Sequence, residues 1–133
     1  MQCHGLNMEH LNHLYADIEL EDGTQAGIVH IYSEYPDYHY EIEPHEGYTC
    51  VDDVARAVVF LCGCDSAVDR ENNSVVLDKM MNFILHMQAG NGYFHNFIWN
   101  DGSINRTYRT SLARPDWWSW RAFWAMESYA LIS

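Results

Sequence analysis

The sequence predicts an all-α fold of about four helices arranged in antiparallel hairpins, with one small irregular β-hairpin between the third and fourth. Two observations carry this. Apolar residues recur at three- and four-residue steps in four separate stretches, the spacing of one helical face. Each stretch is bounded by glycine, proline or acidic residues of the kind that start and stop helices. Alternation of the strand type is short and imperfect everywhere.

Residues 7–20, NMEHLNHLYADIEL, place Met8, Leu11, Leu14, Tyr15 and Ile18 on one stripe, and Glu21-Asp22-Gly23 ends the first helix. Residues 27–35, GIVHIYSEY, are rich in Ile, Val and Tyr and read as a strand or an extended segment lying across helix ends. Pro36-Asp37 turns the chain into a long loop rich in Tyr and His, 36–48. The second helix is expected from about Cys50 to Cys64. Thr49 is its N-cap, Asp52 is the third residue of a capping box, and Arg56 is within i+3 and i+4 reach of both acids. Asp65 to Asn73 reads as a linker. The third helix covers 74–88, with Val76, Met80, Phe83, Ile84 and Met87 inside. Residues 92–108 form an irregular hairpin around Asn100-Asp101-Gly102. The fourth helix begins at Pro115 or Asp116 and runs to the end, with Trp117, Trp120 and Trp124 on one stripe and Trp118 facing elsewhere.

The bulk numbers bound the function. The chain has 133 residues, enough for one domain spanning 1–133 with its own core. With 19 acidic against 7 basic residues the net charge is -12, which argues against nucleic acid and against attraction to anionic membrane surfaces. No stretch approaches the ~18 apolar residues of a membrane span. The N-terminus has neither the basic start nor the apolar middle of a signal peptide, so the compartment is unknown from sequence, with the cytoplasm as the default. Four cysteines are few for a disulfide framework, and Cys62-Gly63-Cys64 is too close for an ordinary bridge; the thiols are expected free and mostly buried. No metal site is expected, because the histidines and cysteines lack zinc spacing. No cofactor motif and no nucleophile motif is present.

Several motifs occur in a suggestive order: Gly47-Tyr48, Asp52-Asp53, Arg56-Ala57, then Gly92-Tyr93-Phe94-His95-Asn96-Phe97, then Asp116 and Arg121-Ala122. This text, over residues 28–126, resembles the N-terminal part of the six-hairpin (α/α)6-toroid glycosidase superfamily, in particular glycoside hydrolase-like bacterial proteins. The resemblance implies a partial toroid. A full one needs twelve helices and upward of about 200 residues. The apolar flanks of this chain would then be covered by later toroid hairpins or by a second copy in a homo-oligomer. In one place the chain departs from the pattern: Trp117 follows Asp116 where the family has a second acid.

The resemblance also implies a carbohydrate partner. Glycoside hydrolysis uses two carboxylates, ~5–5.5 Å apart for retention and ~6.5–9.5 Å for inversion. Asp53 and Asp116 are the expected acids. Adjacent helical residues point about 100° apart, so Asp52 is assigned first to the cap and only second to catalysis. Trp117, Trp118 and Tyr93 are the expected sugar platforms, since C–H faces of sugars pack on aromatic rings. His95, Arg56 and Glu34 are the expected polar contacts. The alternative is a catalytically inactive carbohydrate-binding or structural fragment that self-associates.

Overall fold

A computed structural model describes residues 1–133. It corrects the all-α, partial-toroid expectation. Four helices are joined by three two-stranded antiparallel sheets, making a mixed α/β domain.

The first difference is at the N-terminus. Helix α1 covers only Glu9–Leu14, and strand β1, Tyr15–Glu19, follows at once. It pairs with β2, Gln25–Val29, with Tyr15 opposite Val29 and Glu19 opposite Gln25. Gly23, at φ 84°, closes the turn between them, and Asp22 accepts the Thr24 amide. Tyr15 and Ile18 fit a helical stripe by spacing alone. The ladder offered by β2 satisfies the backbone of this short segment instead, and an Asp-Gly pair is a hairpin signal as well as a helix stop.

Strands β3, Tyr32–Glu34, and β4, His39–Glu41, form a hairpin inside the expected loop. It docks through Tyr40, whose ring stacks on His30 and whose hydroxyl donates to the His13 carbonyl. The third sheet is minimal: β5, Thr49–Cys50, pairs with β6, Phe97–Ile98.

Helix α2, Val51–Cys62, runs through the centre of the core and packs on α3, Ala67–His86, and α4, Trp117–Ile132. Helix α3 begins seven residues before the expected start, because Ser66 accepts the Asp69 amide and caps it. Its polar first turns are not a linker: Asn73 bonds both backbone groups of Gln2, and Asp69 accepts the His4 amide. The N-terminal segment so held carries Cys3, which forms a disulfide with Cys64. The expectation of four free thiols is corrected; Cys50 and Cys62 are free.

The core contains Ile28, Val54, Val58, Leu61, Phe83, Ile84, Phe94 and Trp118. Helix α4 turns Trp118, Ser119, Ala122 and Ala125 inward. Ala122 and Ala125 share the core cluster with Ala55 and Val58 of α2, and small residues of this kind let two packed helices approach closely. The stripe of Trp117, Trp120 and Trp124, expected in part as core, faces outward at 48%, 54% and 52% exposure.

Candidate functional site

The site grows from the N-terminal end of α2. A helix start leaves backbone amides without partners. Cys50 is the N-cap residue and provides no side-chain bond. Thr49 does not cap either: its hydroxyl donates to the Val29 carbonyl. The caps come from a distant loop. Asn96 accepts the Val51 amide on its carbonyl at 2.8 Å and the Asp52 amide on its side-chain oxygen at 3.2 Å. Its own side-chain NH₂ donates to the Thr110 carbonyl.

That loop is held by a buried hydroxyl. Ser111 Oγ accepts the amides of Asn96 and Phe97 and donates to the Asn105 carbonyl. Asn105 in turn donates to the carbonyls of His45 and Glu46, each at 3.0 Å. Gly47 follows Glu46 at φ 142°, and a Cβ there would lie 2.3 Å from the Ile98 carbonyl oxygen. Only glycine permits this crossing. The crossing sets Glu46 beside the loop, where its carboxylate accepts the Thr110 hydroxyl at 2.6 Å.

The two adjacent acids have different surroundings. Asp52 is nearly enclosed and doubly paired: Arg121 of α4 donates to Oδ1 at 2.5 Å and Arg56 to Oδ2 at 3.3 Å. Asp53 also receives Arg56, at 3.3 Å, but keeps 37% of its side chain exposed. Burial, and next the charge of Asp52, push the Asp53 carboxyl above its ordinary value, against the pull of Arg56. The buried Cys50 thiol is pushed well up, first by burial and then by the charge of Asp53. Burial, followed by the charges of Glu46 and Glu43, raises the Tyr32 hydroxyl.

Glu46, Asp52, Asp53, Asn96, Thr110 and Trp117 line one cleft of about 210 Å³, together with Tyr32. Three carboxylates, amide and hydroxyl groups, and an exposed indole thus face a common space. That combination can hydrogen-bond a polyhydroxylated ring, stack on its C–H face, and move a proton.

Of the residues expected from sequence, Asp52, Asp53 and Trp117 are brought together here, with Arg56 bridging the two acids from outside. Asp116 does not line the cleft. Its Oδ1 accepts the Trp117 amide and its Oδ2 accepts Arg114 Nε at 3.1 Å, so it caps its own helix. Trp118 is corrected as a sugar platform: it is fully buried, with its indole N–H donating to the carbonyls of Phe94 and Leu112. Tyr93 packs edge-on against Trp120 and Phe123, on the outer face of α4. His95 is buried, its Nδ1–H donating to the Ser111 carbonyl at 2.8 Å. Glu34 is exposed on the β3–β4 hairpin.

Sequence reasoning missed Glu46, Thr110 and Tyr32. The signal for Glu46 was its place directly before the Gly47-Tyr48 pair. For Thr110 and Tyr32 no local signal exists, since both arrive through tertiary contacts. No group of three His, Cys, Asp or Glu side chains is arranged to hold a metal ion. No helix is long and apolar enough to cross a membrane. Compared with known proteins, the chain matches no family model and no curated protein.

Proposed function

We propose that this protein binds an oligosaccharide in the cleft at the start of α2 and acts on it by glycoside hydrolase-like acid–base chemistry. The observation that carries the reading is the convergence of Asp53, Glu46 and Trp117 on one opening. The likeness of the Gly-Tyr, Asp-Asp and Arg-Ala text to six-hairpin glycosidases supports the same reading.

The roles follow from environment. Asp53 keeps its proton to higher pH than an ordinary carboxyl and is the acid. Asp52 lies between two arginines, and its charge raises its neighbour. Glu46 is the base, with the Thr110 hydroxyl orienting its carboxylate. Trp117, half exposed at the mouth, is the stacking platform. Hydrolysis breaks the bond between the anomeric carbon and the glycosidic oxygen. Asp53 gives its proton to that departing oxygen. Water adds its hydroxyl to the anomeric carbon and its second proton passes to Glu46.

A second reading is sugar binding without turnover. The observation favouring it is Asp116, the acid the resemblance implies, which is occupied by the α4 N-terminus and Arg114. A glycan-array screen, followed by reducing-end assays on any bound glycan, separates the two. The hydrolytic reading expects binding and release for the wild type. Asp53→Asn and Glu46→Gln should each retain binding while release falls at least about a hundredfold. Binding with no release in the wild type would favour the second reading. No binding to any glycan would remove both.

A further inference from the structure

Asp53 lines two hollows. Besides the acid cleft it forms one end of a larger groove of about 470 Å³, between α1, the end of β2 and the outer face of α2. Ile31 is common to both hollows as well. The two spaces therefore meet at the wall formed by Asp53 and Ile31.

Their linings differ in kind. The acid cleft offers carboxylates, an amide and a hydroxyl. The groove is walled by Met8, Leu11, Leu14, Val29, Ala57 and Phe60. A sugar ring laid along these side chains would leave most of its hydroxyls against apolar surface, which is costly. An alkyl or aryl group would be well matched. The groove also has four polar lining residues, Asn7, His30, Asp53 and Arg56, of which Asp53 alone is shared with the acid cleft.

We propose that the ligand is a glycoside with an apolar aglycone, its sugar ring in the acid cleft, its glycosidic oxygen at Asp53 and its aglycone in the groove. The inference rests on the carbohydrate reading of the acid cleft and adds the leaving-group side. It also accounts for the position of Asp53: a general acid has to reach the oxygen that joins the two parts of the substrate. The aglycone then departs as the neutral alcohol, carrying the proton from Asp53.

The test is calorimetric titration with matched methyl and hexyl pyranosides of glucose, galactose and mannose, and with hexanol alone. Each methylene transferred into the groove multiplies affinity by roughly fourfold. For whichever sugar binds, the hexyl glycoside should bind at least about tenfold tighter than the methyl glycoside. Phe60→Gln and Leu11→Gln should each cut that ratio toward one and leave the methyl glycoside unaffected. Both side chains are at least partly exposed, so neither replacement opens the core. Two variants on different helices guard against one local rearrangement. Equal affinity for the methyl and hexyl glycosides would overturn the groove assignment while leaving the sugar cleft intact. So would hexanol binding as tightly as the hexyl glycoside, since the groove would then be an independent apolar site. Absence of binding by every glycoside would overturn both the groove assignment and the carbohydrate reading beneath it.

Discussion

Helices α2 and α4 open with similar text, an acid ahead of an Arg-Ala pair and an apolar run, yet their N-termini are built on different principles. Helix α4 caps itself: Asp116 accepts the amide of the next residue and pairs with Arg114, two residues away. Helix α2 relies on the rest of the fold. Its amides are satisfied by Asn96, and its first acid is paired with Arg121, which belongs to α4. The Arg-Ala arginines differ likewise. Arg56 serves acids on its own helix, whereas Arg121 reaches across to the other one. The difference lies in the spacing. Arg56 is three and four residues from Asp53 and Asp52, on the same helical face. Arg121 is five residues from Asp116, which puts it on another face, free to reach across. A self-capped helix start is a local matter, whereas a start satisfied by distant loops and charges collects chemistry from several elements in one place.

The largest expected effect tests how α4 is seated. Trp118→Ala removes a fully buried indole and leaves the Phe94 carbonyl without that donor, so it should cost about 3–5 kcal/mol in denaturant unfolding. Trp117→Ala, one residue earlier and half exposed, should stay within about 0.5 kcal/mol. Similar losses for both would mean that the outer stripe of α4 is covered.

The next effect compares the two helix starts directly. Arg121→Leu leaves Asp52, only 12% exposed in its side chain, with Arg56 as its one cation, and should cost about 2 kcal/mol. Asp116→Ala removes a local cap and should cost about 1 kcal/mol. The double variant Arg121→Leu with Asp52→Asn should recover part of the first loss, because the uncompensated charge is gone. If Asp116→Ala proves the costlier single change, the tertiary pairing of Asp52 matters less than the local cap.

The legibility of the fold in the sequence follows the same division. Helices α2 and α4 were recoverable because propensity, period and punctuation agree over twelve residues or more. The pairings of Arg56 with Asp52 and Asp53 were readable from spacing alone. What escaped was set by distant partners. Tyr15 to Glu19 has an acceptable helical stripe, but β2 claims its backbone. Residues 67–73 are polar, but their polar groups hold the N-terminal segment, and the Ser66-to-Asp69 cap was overlooked. Cys3 and Cys64 are brought together over a separation of 61 residues, which no local pattern encodes. In α4, Trp120 and Trp124 misled, because bulk suggested burial where both are about half exposed. The helix is instead seated by the fully buried Trp118 together with Ser119, Ala122 and Ala125. Of the site, the acids of α2 and Trp117 were visible, and Glu46 and Thr110 were not.

The smallest expected effect bears on the chemistry of the α2 opening. The Asp53 carboxyl is raised from 3.8 in the native protein by burial and by Asp52. As pH rises from 3.8 toward the native value, the unfolded chain releases this proton before the folded one does. Folded wild type holds more protons in that window, so this residue makes stability fall with rising pH until the native carboxyl has also ionised. Asparagine cannot titrate. The melting temperature of Asp53→Asn minus that of wild type should therefore increase from below pH 3.8 toward neutrality and then level off. Loss of the partly exposed Arg56 pair shifts the baseline only slightly. A difference for Asp53→Asn that shrinks with pH would place Asp53 among ordinary stabilised carboxylates and take away its basis as a proton donor.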